Sequence, residues 1–219
     1  MADYAIFRVQ KLMRGQGKHS VYASLRHLQN HDKTADISHP EKTAYNRTYL
    51  AKGFDIDHPA KMINKAVSRH NKNSIRALRK DAAVAVEMIF SYSPKAKNLQ
   101  WIEEYEKKIQ DFLKTEFPTF QVIRLDRHCD ENSVHWHVVG VPFAKDRKRI
   151  SAKEVLGGPA EMVRHQDRFA EAVAGLGLKR GISKKKTKKR HTTKTEWQRQ
   201  QEIEKEAKKA LDSVLGEDR

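Results

Sequence analysis

Residues 128–143 constrain the fold more than any other part of the sequence. They place His135 and His137 on either side of Trp136 and continue as an apolar run to Phe143. Because side chains alternate between the two faces of a strand, both histidines must share one face, about 7 Å apart, while Trp136 enters the opposite layer. The pattern predicts a strand with a polar site on one face and packing on the other.

A third histidine lies just before this strand. The apolar run over 120–125 predicts a preceding strand, and the turn-forming residues 130–133 let His128 fold back over His135 and His137. Three converging neutral imidazoles predict a divalent-metal site. The alternative is three separately placed polar residues. The ligand set does not choose between Mn, Zn, Ni and Co.

Charge indicates the class of partner. A chain of 219 residues can bury one substantial core, and its net charge of +16 predicts a polyanionic partner. Nucleic acid is favoured over a membrane, because no apolar run approaches the roughly 20 residues of a spanning helix and no signal peptide opens the chain. Cys129 is the only cysteine, which excludes an intrachain disulfide and a cysteine-based zinc site, and fits a cytoplasmic location.

Apolar periodicity predicts an alternation of strands and helices. The predicted strands cover 4–10, 82–90, 120–125 and the stretch after His135, and the predicted helices cover 18–30, 98–116 and 160–174. Residues 31–60 are interpreted as an irregular polar excursion, and 61–80 as a basic segment that lies on a phosphate backbone. The order predicts an α+β fold, a four-stranded antiparallel sheet with helices on one face, over residues 1–178. Residues 179–219 are predicted to form a basic linker and a C-terminal helix.

Two further residues invite separate interpretation. Glu87 is the one carboxylate within an apolar run of strand length, and a buried carboxylate needs a partner, so it is a candidate for contact with an arginine or with the shell of the metal. Cys129 is expected to pack away from His128 rather than to bind metal.

A metal beside basic clusters suggests phosphodiester chemistry, in which the ion stabilises developing charge. It does not supply the nucleophile. Attack by water would make the protein a nuclease, and attack by a side chain would make it a strand transferase with a covalent intermediate.

The histidine stretch resembles a known superfamily. His135-Trp136-His137 is similar to the HUH signature of rolling-circle relaxases, replication initiators and transposases. The longer pattern His128-x-Asp130-Glu131-x3-His135-x-His137 resembles the third motif of the MobV (Pre/Mob) plasmid mobilisation relaxases. Further matches to that family, covering most of residues 1–195, are Arg8-x-Gln10-Lys11, Arg26-His27, Asn46, and Arg76-x2-Arg79-Lys80-Asp81-Ala82 followed by Glu87.

The resemblance implies a ferredoxin-like HUH domain that nicks one DNA strand at an origin of transfer. It implies His128, His135 and His137 as ligands of a divalent cation, Mn²⁺ or Mg²⁺ foremost with Zn, Ni or Co open, and Glu131 as catalytic support. It implies His27 as the nucleophile, forming a 5′-phosphoramidate that strand rejoining reverses. The implied DNA-positioning residues are Arg8, Lys11, Arg26, Asn46, Arg76, Arg79, Lys80 and Glu87.

The resemblance also implies partners. They are single-stranded or supercoiled origin DNA and a second copy of the protein. Members of this family are typically longer, so we expect this chain to be an N-terminal catalytic domain, with the dimer formed through a region beyond it.

Two positions depart from the family pattern. Asn30 stands where the family has an arginine three residues after its histidine, and Val134 stands where it has a proline. His19, His31, Tyr22 and Tyr45 therefore remain rival nucleophiles. Two other functions also stay open: an HUH replication initiator or transposase with a tyrosine nucleophile, and a non-enzymatic basic DNA-binding protein with a structural metal.

Overall fold

The computed structural model describes residues 3–14, 17, 19–29, 31–34, 37–50, 59–93, 97–182, 196, 199, 203, 206 and 207. The chain divides into two compact units, Met1–Gly181 and Ile182–Arg219. In the second unit the five described residues from 196 onward are helical. Residues 183–195 of the predicted basic linker lie outside the described residues. No helix in the described part of the chain is both long and apolar enough to cross a membrane.

The first unit is built on one six-stranded sheet. Its strands are β1 (Asp3–Met13), β2 (Arg47–Leu50), β3 (Ala83–Tyr92), β4 (Phe120–His128), β5 (His135–Pro142) and β6 (Leu178–Arg180). They lie in the order β2-β4-β5-β3-β1-β6. Every neighbouring pair is antiparallel except β1 and β6, which are parallel. The predicted α+β fold with an antiparallel sheet is confirmed.

The prediction found four of the six strands. The two that it missed, β2 and β6, are edge strands of four and three residues, too short for alternation to be distinguished from chance. Because β6 contains Lys179 and Arg180, these two basic residues belong to the sheet rather than to the predicted linker. The division at residue 178 otherwise stays a prediction.

Helices cover both faces of the sheet. They are α1 (Val21–Gln29), α2 (His31–Thr34), α3 (Pro59–Asn73), α4 (Leu99–Glu116), α5 (Ala152–Leu156) and α6 (Pro159–Ala172), with 3₁₀ turns over Pro40–Tyr45 and Ala174–Leu176. α4, α5 and α6 pack on an aromatic core on one face, and α1 and α3 pack on an aliphatic core on the other.

The prediction of helices on one face was wrong, because the predicted helix α1 packs on the second face together with α3, which was not predicted. Only a narrow stripe of α3 is buried, namely Ile63, Ala66, Val67 and His70. Lysine, asparagine and arginine occupy most of its other positions, so the segment reads as a polar excursion followed by a basic stretch. The stripe nevertheless has the spacing of one helical face.

A buried ionic triangle joins the aromatic face of the sheet to α4. Glu106 Oε2 accepts hydrogen bonds from Trp136 Nε1 at 2.9 Å and from Arg127 Nη1 at 3.2 Å. Arg127, of which 1% is exposed, also donates from Nε to the Tyr45 carbonyl oxygen at 3.0 Å. The carboxylate therefore satisfies two donors that have no access to water.

Replacing Glu106 by alanine is expected to lower the free energy of unfolding by about 3–5 kcal/mol, because it leaves the Arg127 guanidinium buried without its counter-ion. Urea denaturation measures this change. The matched control is Glu103→Ala on the exposed side of the same helix, with an expected change within about 0.5 kcal/mol. Equal losses in the two variants would contradict the role given to the triangle.

Candidate metal centre

Strand pairing brings the three predicted ligands together. In the register between β4 and β5, His128 lies opposite His135 and Asp126 lies opposite His137. The ring centroids of His128, His135 and His137 are 5.0–5.2 Å apart in all three pairs. One nitrogen from each ring can be chosen so that all three lie within 4.8 Å of one another. Trp136 points to the opposite face and is fully buried in the aromatic core, as predicted.

Hydrogen bonds orient two of the three rings. His137 donates from Nδ1 to Glu87 Oε1 at 2.8 Å, and His135 donates from Nδ1 to the Ser133 carbonyl oxygen at 2.8 Å. Because both Nδ1 atoms carry the proton, both Nε2 atoms present a lone pair. Burial raises the pKa of Glu87, but its hydrogen bond with His137 and the charge of that ring outweigh burial, so the net shift is downward. The partner that a buried Glu87 requires is therefore His137.

The chemical state of the cluster fits a divalent cation. Burial, followed by repulsion from His137, lowers the pKa of His128 and of His135, so both rings are neutral near pH 7. The buried Nδ1 of His128 has no hydrogen-bond partner among the described residues. Neutral imidazoles with free lone pairs are the form that binds divalent metals.

Glu131 lies at the edge of this cluster. Its Oε1 is 3.5 Å from His135 Nε2 and 3.7 Å from His128 Nδ1, and its side chain is 12% exposed. The predicted catalytic carboxylate is therefore next to the predicted ligands.

A second carboxylate holds the loop that carries the ligands. Asp130, which is fully buried, accepts hydrogen bonds from His31 Nε2 at 2.9 Å, Thr43 Oγ1 at 2.9 Å and Asn46 Nδ2 at 2.8 Å. Burial raises the pKa of Asp130, but the hydrogen bonds from these three donors together outweigh burial. The net shift of the pKa is downward, so the carboxyl group is ionised. The polar excursion is thereby tied to the loop between β4 and β5.

Asn46 uses both ends of its amide inside the protein. Besides donating to Asp130, it accepts a hydrogen bond at its Oδ1 from the Cys129 backbone N–H at 2.7 Å. Asn46 was predicted to position DNA, and this placement inside the protein was not predicted. Cys129 itself packs in the aromatic core on the other face, as predicted.

His27 lies over the cluster from the last turn of α1. Its ring centroid is 5.8 Å from that of His137 and 6.5 Å from that of His128. Burial, followed by repulsion from His137, lowers the pKa of His27 despite the nearby carboxylates of Glu131 and Glu87. Its ring is therefore a neutral imidazole near pH 7.

Arg124 fixes the end of α1. It donates from Nη2 to the Leu28 carbonyl oxygen at 2.9 Å and is held by Asp126 through bonds of 2.6 Å and 2.8 Å. The pairing of Arg124 with Asp126 was not predicted, although arginine and aspartate two residues apart in a strand must share a face.

The rival nucleophiles are placed differently from one another. His31 stacks on His128 with ring centroids 3.7 Å apart. His19 lies on the surface, where its Nδ1 is 2.8 Å from Gln10 Nε2. Tyr22 and Tyr45 are 54% and 43% exposed, and the ring contacts found among the described residues do not connect either of them to the cluster.

The predicted DNA-positioning residues are more dispersed. Arg8 is exposed and lies in the same cross-strand row as Ile89 and His137. Lys11 pairs with Val86 of the aromatic core and so projects from the opposite face. Arg26 is exposed on α1, and the other basic residues lie exposed in the segment between α3 and β3: Arg76, Arg79 and Lys80.

Replacing Asn46 by alanine is expected to lower the free energy of unfolding by about 1–3 kcal/mol, because the Cys129 N–H loses its acceptor and Asp130 loses a donor. Thermal and urea denaturation test this expectation. The control is Asn73→Ala, which removes one exposed hydrogen bond to the Arg69 carbonyl oxygen. Unchanged stability with weakened DNA binding would instead support the predicted contact with DNA.

Comparison with known proteins places this site in context. The family model described as "Plasmid recombination enzyme" (Mob_Pre) matches residues 1–210. A plasmid recombination enzyme type 3 of Staphylococcus aureus is 29% identical over 202 residues, covering 86% of this chain and 46% of the relative. A type 1 enzyme of the same species is 30% identical over 197 residues, covering 86% and 47%. The chain thus spans about half the length of the curated relatives it matches.

Solved structures show the same fold. The MobM relaxase domain, Mn-bound and in complex with plasmid pMV158 oriT DNA, superposes with a TM-score of 0.70 at 20% identity, covering 90% of this chain and 98% of that domain. A second crystal structure of the same kind of complex gives 0.69 at 24% identity.

Proposed function

The chain belongs to the plasmid recombination enzyme family, Mob_Pre, and on this premise we propose that it is a metal-dependent relaxase that nicks one DNA strand at an origin of transfer. One observation carries the proposal. The ring centroids of three candidate imidazole ligands lie 5.0–5.2 Å apart, and the ring of a further imidazole, that of His27, lies 5.8 Å from one of them on a different element. A nucleophile beside a metal triad is the arrangement that strand transfer needs.

We assign His128, His135 and His137 as the ligands. These three residues would hold a divalent ion, which would supply charge stabilisation to the scissile phosphate. Relaxase domains of the same fold are Mn-bound, which supports a divalent ion, and we propose Mn²⁺ or Mg²⁺ as the physiological one. Glu87 holds the His137 ring in the orientation for binding.

We assign His27 as the nucleophile. Its lone pair attacks phosphorus, the bond from phosphorus to the 3′ oxygen breaks, and a 5′-phosphoramidate forms. In this step the imidazole loses its ring proton and the leaving 3′ oxygen gains a proton. Glu131, whose charge acts on His27, is the proposed proton carrier. Attack of the 3′-hydroxyl on the phosphoramidate reverses the step and rejoins the strand.

The proposed substrate is single-stranded or supercoiled origin DNA. MobM relaxase domains are bound to oriT DNA, and the net charge of +16 suits a polyanionic partner. We propose that Arg8, which shares a cross-strand row with His137, and Arg26, next to His27 on α1, position the strand, and that Arg76, Arg79 and Lys80 contact other phosphates. The proposed location is the bacterial cytoplasm, and dimerisation stays a prediction.

His27→Ala is expected to abolish the covalent adduct, because it removes the attacking nitrogen. The protein is incubated with Mn²⁺ and single-stranded oligonucleotides that tile the DNA upstream of its own coding sequence, and the products are analysed by mass spectrometry. Tyr22→Phe is the matched control, a change on the same helix that should leave the adduct on His27 intact.

Each other outcome contradicts part of the assignment. An adduct on Tyr22 or Tyr45 would indicate a tyrosine mechanism, as in replication initiators and transposases. Cleavage without an adduct would indicate attack by water. DNA binding without cleavage in the presence of Mn²⁺ would favour a DNA-binding protein with a structural metal.

Glu87→Gln is expected to weaken Mn²⁺ binding by about 10–100-fold, because the carboxylate behind a ligating histidine raises its basicity and fixes its ring. Isothermal titration calorimetry without DNA measures this effect separately from cleavage. Glu171→Gln, an exposed change on α6, serves as the control. Equal affinities in the two variants would contradict the assignment of His137 as a ligand.

A further inference from the structure

The three rings of the triad are oriented by different means. A carboxylate holds His137 and a carbonyl oxygen holds His135, each at 2.8 Å. For His128 no comparable bond is found among the described residues: its buried Nδ1 has no hydrogen-bond partner, and the nearest carboxylate oxygen, on Glu131, is 3.7 Å away. Because metal-binding histidines almost always have a hydrogen-bonded partner that fixes the ring, His128 needs another support.

That support is the face of another ring. His31 stacks on His128 with centroids 3.7 Å apart and an angle of 27° between the planes. Such a contact restricts rotation of the His128 ring about its side-chain bonds, since turning the ring would drive its edge into the neighbour. Both rings are well covered, with side-chain exposures of 4% for His128 and 12% for His31.

The supporting ring is itself held in place. His31 Nε2 donates to Asp130 Oδ1 at 2.9 Å, and the other oxygen of Asp130 accepts from Thr43 and Asn46. The backbone oxygen of Asp130 accepts two further bonds from the excursion, from the N–H groups of Ser38 and His39. The ring of His31 is therefore fixed at one edge by a fully buried carboxylate and on one face by His128.

We propose that His31 is a positioning residue, which fixes the ring plane of the metal ligand His128 by stacking and is itself anchored by Asp130. This inference rests on the proposed function, because it requires a metal at the triad. Under this proposal His31 supports a metal ligand and is not the nucleophile. The proposal also assigns a role to the polar excursion, which supplies the hydrogen bonds that hold Asp130.

Two substitutions separate stacking from the other possible roles of His31. His31→Ala removes the ring and is expected to weaken Mn²⁺ binding by about 10–100-fold. His31→Phe keeps a flat ring on His128 but cannot donate to Asp130, so it should lose thermal stability and yet retain most of the Mn²⁺ affinity. His39→Ala is the control, a half-buried imidazole whose Nδ1 lies 3.3 Å from Glu41 Oε1.

Mn²⁺ affinity is measured by calorimetry on the DNA-free protein, and stability by thermal unfolding of the same samples. Affinity retained in His31→Phe and lost in His31→Ala supports the proposal. Equal loss in both variants would overturn it and show that His31 acts through a ring nitrogen. Unchanged affinity in His31→Ala would also overturn it, while leaving the proposed function intact. Absence of Mn²⁺ binding in the unsubstituted protein would instead contradict the metal centre itself.

Discussion

The alternation of side chains along β5 is the constraint on which the rest of the first unit depends. His135 and His137 face one layer and Trp136 the other, so the candidate metal centre and the aromatic core share one strand. The aromatic side is fixed by the hydrogen bond that Trp136 donates to the buried Glu106. A slip of one residue would bury the imidazoles in the aromatic layer and expose the indole to the site. The packing of Trp136 in the aromatic core thus specifies the register of β5. The same register places His135 and His137 together on the other face.

Buried carboxylates give the site its rigidity. Glu87 and Asp130 are both nearly inaccessible to solvent, and both stay ionised because hydrogen bonds outweigh the cost of burial. Each lies behind an imidazole and fixes which nitrogen carries the proton. Both carboxylates therefore add negative charge close to the triad, which favours the binding of a cation there.

Local patterns in the sequence predicted the parts of the site that lie on single strands. The period of two placed His135 with His137, and the rule that a buried carboxylate needs a partner pointed to Glu87. The pairing of His31 with Asp130 joins residues 99 positions apart, and no local pattern encodes such a contact. The helix α3 was missed for another reason, since its buried stripe is narrow and its remaining positions are polar. The edge strands β2 and β6 gain their conformation from their neighbours, which a sequence pattern of three or four residues does not convey.

The order of the strands determines when the site can exist during synthesis. β5 is inserted between β3 and β4 rather than added at an edge, so the sheet has no continuous centre until residues 135–142 have emerged. Up to that point β1, β3 and β4 hold Glu87 and His128 but only one member of the triad. The insertion of a single strand then brings in two of the three proposed ligands at once. A chain made only as far as residue 134 would hold one of them, so the proposed metal centre could not form during the earlier part of synthesis.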